Sequence, residues 1–235
     1  MTFTWATGSH RGRIRENNED SVFPETSGRN DGPLVVAVAD GMGGHVGGEV
    51  ASRLAIDALA TETNLPIAQR VSVANDRIMA EVADKAELRG MGTTLTAAEL
   101  SAASLVIAHV GDSRAYLLRN GIFEQLTNDH SVVAEYLRAG SIRPEDVATH
   151  PQRSMLTRAL GLYPNVEVDV IETRARNGDR VLICSDGLTS MVPDQRIAGV
   201  LGRSTPEEAV WTLIEMANQA GGHDNISVVV VDVGS

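Results

Sequence analysis

Hydrophobic residues in this chain follow two rhythms, short continuous runs and helical stripes. Leu34, Val35, Val36, Ala37 and Val38 form an unbroken apolar run rich in β-branched side chains, which predicts a strand covered on both faces. The run leads to Asp40 at the strand end, followed by Gly41, Gly43 and Gly44, whose missing Cβ atoms allow a sharp turn or a close backbone approach to a ligand. Further strands are predicted over 3–7, 92–98, 104–110, 166–172, 180–184 and 226–231. Asn120 and Gly121, set between the apolar stretches 114–118 and 122–123, predict a type I′ hairpin. Ala51, Leu54, Ala55, Ala58 and Leu59 recur at helical spacing over 49–59, and Pro66 opens a second helix with a face of Ile67, Val71, Ala74, Ile78 and Val82. A short helix is expected over 193–201. The last helix has Thr205 as N-cap, Pro206 at its first position and Glu208 completing a capping box.

Between 128 and 161 the pattern changes to short polar helices broken by Gly140, Pro144 and Pro151, an excursion of the kind that forms a flap beside a site. A structural connector is the plainer alternative. Strands joined largely through hairpins, with helices gathered in pairs, predict an α+β protein in which antiparallel sheets are covered by helices. No GxGxxG in a βαβ frame and no Walker-type loop is present. With 235 residues, 43% hydrophobic content and 3% aromatic content, one domain over 1–235 is expected, its core built from Ala, Val, Leu and Ile.

Asp40 alone would read as an Asp-Gly turn. Repetition changes that, because the run 180–184 leads to Asp186 and Gly187, the run 105–110 leads to Asp112, and Asp224 stands just before the strand at 226. Four acids at strand ends point to carboxylates meeting on one rim of a sheet. Buried together without partners they repel at a cost of several kcal/mol each, so hard cations or protons must accompany them. Oxygen-only ligands favour Mg²⁺ or Mn²⁺; the six histidines show no HExxH spacing and Cys184 is the only cysteine, which argues against zinc. Beside Asp40, the charged stretch 11–20 would supply Glu19 as a further ligand and Arg15 as a guanidinium fork for a phosphate; otherwise it is a solvated loop.

Arg15 to Asp20, Ala39 to Gly44, Gly92-Thr93-Thr94, Val110 to Arg114, Cys184 to Gly187 and His223-Asp224-Asn225 together resemble the motif series of the metal-dependent protein phosphatases, the PPM or type 2C family, in its bacterial form. Six motifs in the family's order, spanning 15 to 225, are highly specific. The resemblance implies a four-layer α-β-β-α sandwich of two antiparallel sheets, a site for two Mn²⁺ or Mg²⁺ ions, and hydrolysis of phosphoserine and phosphothreonine in proteins. It implies that Asp40 bridges the ions, with Asp186 and Asp224 on the first and Glu19 and the Gly41 carbonyl on the second. Asp20 would orient bound water, Asp112 with Asp186 would hold a third, weaker ion, Arg15 would bind the phosphate, and 128–161 would be the flap.

One position departs from the eukaryotic pattern, which carries a histidine after the Asp-Gly pair; here it is Met42, leaving the general acid to water held by the ions or to His45. Cys184 reads as a small buried hydrophobe. The rival functions are a catalytically idle regulator that binds phosphoproteins or metal, and a carboxylate-pair glycosidase, which the shortage of aromatic residues disfavours. A net charge of −11 repels nucleic acid. The first five residues lack a charged-then-apolar leader, no run approaches membrane-spanning length, and one cysteine forms no internal disulfide. A cytoplasmic monomer is expected, acting on phosphorylated proteins such as a serine/threonine kinase or its substrates.

Overall fold

Every strand pairing among the described residues is antiparallel, as the hairpin-rich sequence predicts. The structure, a computed structural model, describes residues 1–43 and 47–234. Its elements are β1 (Thr2–His10), β2 (Asp20–Phe23), β3 (Gly28–Asn30), β4 (Leu34–Met42), α1 (Gly47–Thr61), α2 (Ile67–Asp84), β5 (Gly92–Thr93), β6 (Leu95–Leu100), β7 (Leu105–Val110), β8 (Arg114–Arg119), β9 (Ile122–Gln125), α3 (Val132–Arg138), β10 (Asp169–Thr173), β11 (Arg180–Cys184), α4 (Asp186–Thr189), α5 (Asp194–Leu201), α6 (Pro206–Gln219) and β12 (Ile226–Gly234). One sheet has the order β3-β1-β12-β11-β8-β9, the other β10-β7-β6-β4-β2 with β5 attached to β4. Among the described residues no helix is long and apolar enough to cross a membrane.

Three apolar layers account for the stacking. Val36 and Val38 of β4 meet Val181 and Ile183 of β11 and Val229 and Val231 of β12 between the sheets. On one outer face Ala37 and Ala39 pack against Ala55, Leu59, Val71 and Ile78 of α1 and α2. On the other, Leu182, Val228 and Val230 pack against Val210, Leu213 and Ile214 of α6. The expected α-β-β-α sandwich results, and β4 is buried on both faces as its unbroken apolar run requires.

Strand side chains alternate, so parity tells which residues face the space between the sheets. On β4 that face carries Val36 and Val38, and Asp40 is next in the same series. On β2 Asp20 shares the parity of Val22, and on β12 Ser227 shares that of Val229. Beyond β11, Ser185 continues the series of Val181 and Ile183. All four strands therefore turn from apolar to polar at the same end of the sandwich.

Several predicted boundaries shift. β4 does not stop before Asp40 but runs to Met42, because Gly41 and Met42 pair with β5. The stretch 92–98 breaks at Thr94, whose N–H donates to the Asp40 carbonyl at 2.9 Å instead of continuing a ladder. The strand expected over 166–172 begins only at Asp169; Val166 and Val168 pack against the α1–α2 layer without joining the sheet. Pro66 precedes α2 with ψ of 145° instead of occupying its first turn. Asn120 and Gly121 both have positive φ, 51° and 79°, as a type I′ turn demands. The excursion holds α3 and a 3₁₀ turn, Pro144–Thr149.

The capping box of α6 is complete, with Thr205 Oγ1 accepting from Glu208 N at 3.3 Å and Thr205 N donating to Glu208 Oε2 at 2.9 Å. Thr205→Ala is expected to cost about 1 kcal/mol, read as a lower urea midpoint at unchanged slope.

Candidate metal centre

A cavity of about 350 Å³ opens at the polar end of the sandwich. Its walls include Arg15, Glu19, Asp40, Gly41, Asp112, Asp186 and Asp224, so seven of the eight predicted site residues meet around one space. The eighth, Asp20, stands behind it, 8% exposed, opposite Asp40 in the β2–β4 register. The excursion contributes Ser154 and Leu156 to the wall. Met42 lines the cavity too, whereas no histidine among the described residues does. His45 lies outside the described residues.

Backbone contacts hold each acid. Asp40 is fixed from β5 and Thr94: its N–H donates to Thr94 Oγ1 at 3.0 Å, and its carbonyl accepts from Thr94 N and Thr93 Oγ1, each at 2.9 Å. Gly41 is obligatory, since a Cβ there would lie 2.1 Å from the Gly48 carbonyl oxygen and 2.6 Å from that of Glu19. Asp186 occupies the first turn of α4, a refinement of its expected strand-end position, and the Ser185 hydroxyl just before it donates to Asp20 Oδ2 at 2.9 Å. Asp112 sits in the turn from β7 to β8, after Gly111 with φ of 112°. Asp224 receives Arg15 Nη2 on Oδ2 at 2.8 Å and the Asn225 N–H on Oδ1 at 2.9 Å. The predicted phosphate fork thus already holds a carboxylate.

Crowding shows in the proton affinities. Burial, reinforced by the charges of Asp20, Asp186, Asp112 and Asp224, raises Asp40 well above the usual carboxylate range. Burial likewise pushes Asp20 up to about 7, Asp112 to about 8 and Asp186 to about 6. Arg114, expected only as part of a motif, makes a two-pronged pair with Asp129, Nε to Oδ1 at 2.9 Å and Nη2 to Oδ2 at 2.7 Å, and its charge opposes the rise at Asp112. Cys184 is fully buried and pushed up to about 12, which suits a hydrophobe and not a nucleophile.

Among the described residues no three His, Cys, Asp or Glu side chains are drawn together as a finished ion cage. The acids instead stand around the cavity, and their chemistry fits hard divalent cations: all donors are oxygens, most are desolvated, and Asp20 Oδ1 is buried with no hydrogen-bond partner. A sequence model described as Protein phosphatase 2C matches residues 7–219.

The chain belongs to the protein phosphatase 2C family. Serine/threonine phosphatase stp of Listeria monocytogenes serovar 1/2a is 43% identical over 237 residues, covering 94% of this chain and 92% of that protein. The crystal structure of the Mycobacterium tuberculosis serine/threonine phosphatase PstP superposes with a TM-score of 0.90 at 42% identity, covering all of both chains. A crystal structure of the PstP catalytic domain in complex with two manganese ions also gives a TM-score of 0.90, at 40% identity, covering 100% of this chain and 99% of that one. The sandwich described above is therefore the fold of this phosphatase family.

Within this 2C-type fold four contributors had no individual role assigned from sequence: Thr93, Thr94, Ser185 and Asn225. All of them lie inside the motifs that carry the family resemblance, which is the signal the sequence offered.

Each raised carboxylate holds its proton more tightly folded than unfolded. The stability it contributes is present below the ordinary value of 3.8 and is lost as pH rises through about 6 to 8. With chelator, the melting temperature should fall across that window; with Mn²⁺, the rise in melting temperature should be larger at pH 8 than at pH 6, because fewer protons then compete for the ligands.

Proposed function

We propose that this chain is a metal-dependent serine/threonine protein phosphatase, hydrolysing phosphoserine and phosphothreonine by direct attack of water, with two Mn²⁺ or Mg²⁺ ions as cofactors. The observation that carries this reading is the meeting of Glu19, Asp40, Asp186 and Asp224 around one cavity with Arg15 on its wall. Four carboxylate charges match two divalent cations. Asp40 is assigned between the two ions, Asp186 and Asp224 to the first, and Glu19 with the Gly41 carbonyl to the second. When bound, such ions lower the pKa of water and offset charge on the transferring phosphoryl group.

The chain's own groups do the rest. Thr93 and Thr94 hold the Asp40 backbone, and Ser185 aims Asp20 toward the site from behind, where it orients water. Arg15 presents a planar fork to the phosphoryl oxygens. Residues 128–161 serve as the flap, closing part of the wall with Ser154 and Leu156. The assembled acids weigh against an idle regulator. The substrates are phosphorylated proteins, a serine/threonine kinase or its targets among them, met in the cytoplasm by a monomer.

Purified protein should hydrolyse p-nitrophenyl phosphate with Mn²⁺ and not with chelator, and release phosphate from phosphoserine and phosphothreonine peptides. Asp40→Asn should lower turnover by roughly 10²–10³-fold or more without lowering the melting temperature of the metal-free chain, since asparagine is a neutral isostere at a site where burial already opposes the charged form. Activity that persists in chelator would overturn the reading.

Asp112 is assigned, with Asp186, to a third and weaker ion. Calorimetric titration of Asp112→Ala with Mn²⁺ should show the weakest equivalent lost and the two tighter ones kept. Unchanged stoichiometry and activity would remove that assignment.

A further inference from the structure

We infer that Asn225 is a positioning residue that sets the spacing of the ion ligands, its side-chain amide pinning the loop from 11 to 19 at three points while its backbone meets the segments of Asp186 and Asp224. The inference rests on the metal-site reading above and adds a residue to which that reading gives no part.

Asn225 is buried, 4% exposed. Its Oδ1 accepts from the Glu19 backbone N–H at 2.8 Å, and its Nδ2 donates to the carbonyls of Arg11 at 3.0 Å and Asn17 at 2.9 Å. Its own N–H donates to Asp224 Oδ1 at 2.9 Å, and its carbonyl accepts from Ser185 Oγ at 3.4 Å. Gly187, next to Asp186, passes so close that a Cβ would lie 1.9 Å from the Asn225 carbonyl oxygen. One residue therefore touches the segments bearing Arg15, Glu19, Asp186 and Asp224.

The side chain's orientation is dictated by its partners. An N–H faces Oδ1 and two carbonyls face Nδ2, so a flipped amide would set like against like three times. Aspartate has the same outline but would turn an anionic oxygen on two carbonyls and add charge to an acidic site. Alanine would leave the polar loop from 11 to 19, which lies between β1 and β2 without strand or helix of its own, to order itself at full entropic cost. Glu19 would keep its carbonyl bond from Gly41 N, at 3.2 Å, but lose the bond that fixes its amide.

The fold supplies a matched control. Asn75 of α2 is buried, its Oδ1 accepts from Gly161 N at 2.9 Å, and its Nδ2 donates to the carbonyls of Tyr163 at 3.0 Å and Pro164 at 3.2 Å. Its bonding pattern is that of Asn225, but it ties the return of the excursion to α2 and touches none of the acids.

Calorimetric titration with MnCl₂ alone, on the wild type and on Asn225→Asp, Asn225→Ala and Asn75→Asp, tests the clamp, with urea unfolding run in parallel. Both Asn225 variants should bind Mn²⁺ roughly 10–100-fold more weakly, while Asn75→Asp loses comparable stability and keeps wild-type affinity. Wild-type affinity in the Asn225 variants, or an equal loss in Asn75→Asp, overturns the clamp while leaving the metal site standing. A wild type that binds no Mn²⁺ overturns the metal site and the clamp together. Should the Asn225 variants not fold, hydrogen exchange on the wild type decides: Mn²⁺ should slow exchange at the Glu19 and Asn225 amides together, and unchanged exchange at Glu19 refutes the inference.

Discussion

Repulsion between desolvated carboxylates is the constraint around which this molecule is arranged. Asp20 and Asp40 face each other across adjacent strands, and Asp112, Asp186 and Asp224 close on the same space. In water such charges would be screened; between two sheets they are not, and burial drives the proton affinities of Asp20, Asp40, Asp112 and Asp186 upward. The sandwich tolerates this because its stability is carried elsewhere. Val36, Val38, Val181, Ile183, Val229 and Val231 fill the space between the sheets with apolar surface, and the strain is confined to the end where the same side-chain series turns polar. A site of this kind is destabilising until cations arrive, which is the usual price of preorganisation.

Preorganisation here is mostly a matter of main chain. Gly41 and Gly187 admit contacts that any Cβ would block, and each brings the backbone of one acid-bearing segment against another. Thr94 leaves its strand in order to hold the Asp40 backbone, and Ser185 carries a hydroxyl to Asp20 across a separation of 165 residues. These bonds fix where the carboxylates stand without neutralising them. Ligands held by side-chain packing alone would splay under their own repulsion.

What could be read from the sequence follows from this division. The strands leading to Asp40 and Asp186, and the one that follows Asp224, were legible because an apolar run flanked by an acid is a local pattern, and α6 was legible because Thr205, Pro206 and Glu208 act within one turn. The extension of β4 to Met42 was not, since it depends on a two-residue partner, β5, which arrives after two helices. Val166 and Val168 alternate like a strand and are half-buried against the α1–α2 layer, yet no ladder reaches them; pattern reports packing, not pairing. Thr94, Ser185 and Asn225 escaped for a related reason. A short polar residue beside a turn looks the same whether it faces water or a segment two hundred residues away.

The sign of the charge raises a further point, since a chain with a net charge of −11 and an acidic cavity should repel phosphate. Arg15 alone does not reverse that, because its Nη2 is already spent on Asp224 Oδ2, and its guanidinium is half exposed, which weakens the pair. A carboxylate and a phosphoryl group make the same demand on those donors. Under the proposed assignment, a cation neutralising Asp224 from the other side would release the fork for a phosphoryl group. A cation and a phosphoryl group would then act on the same Arg15–Asp224 pair, one at each partner.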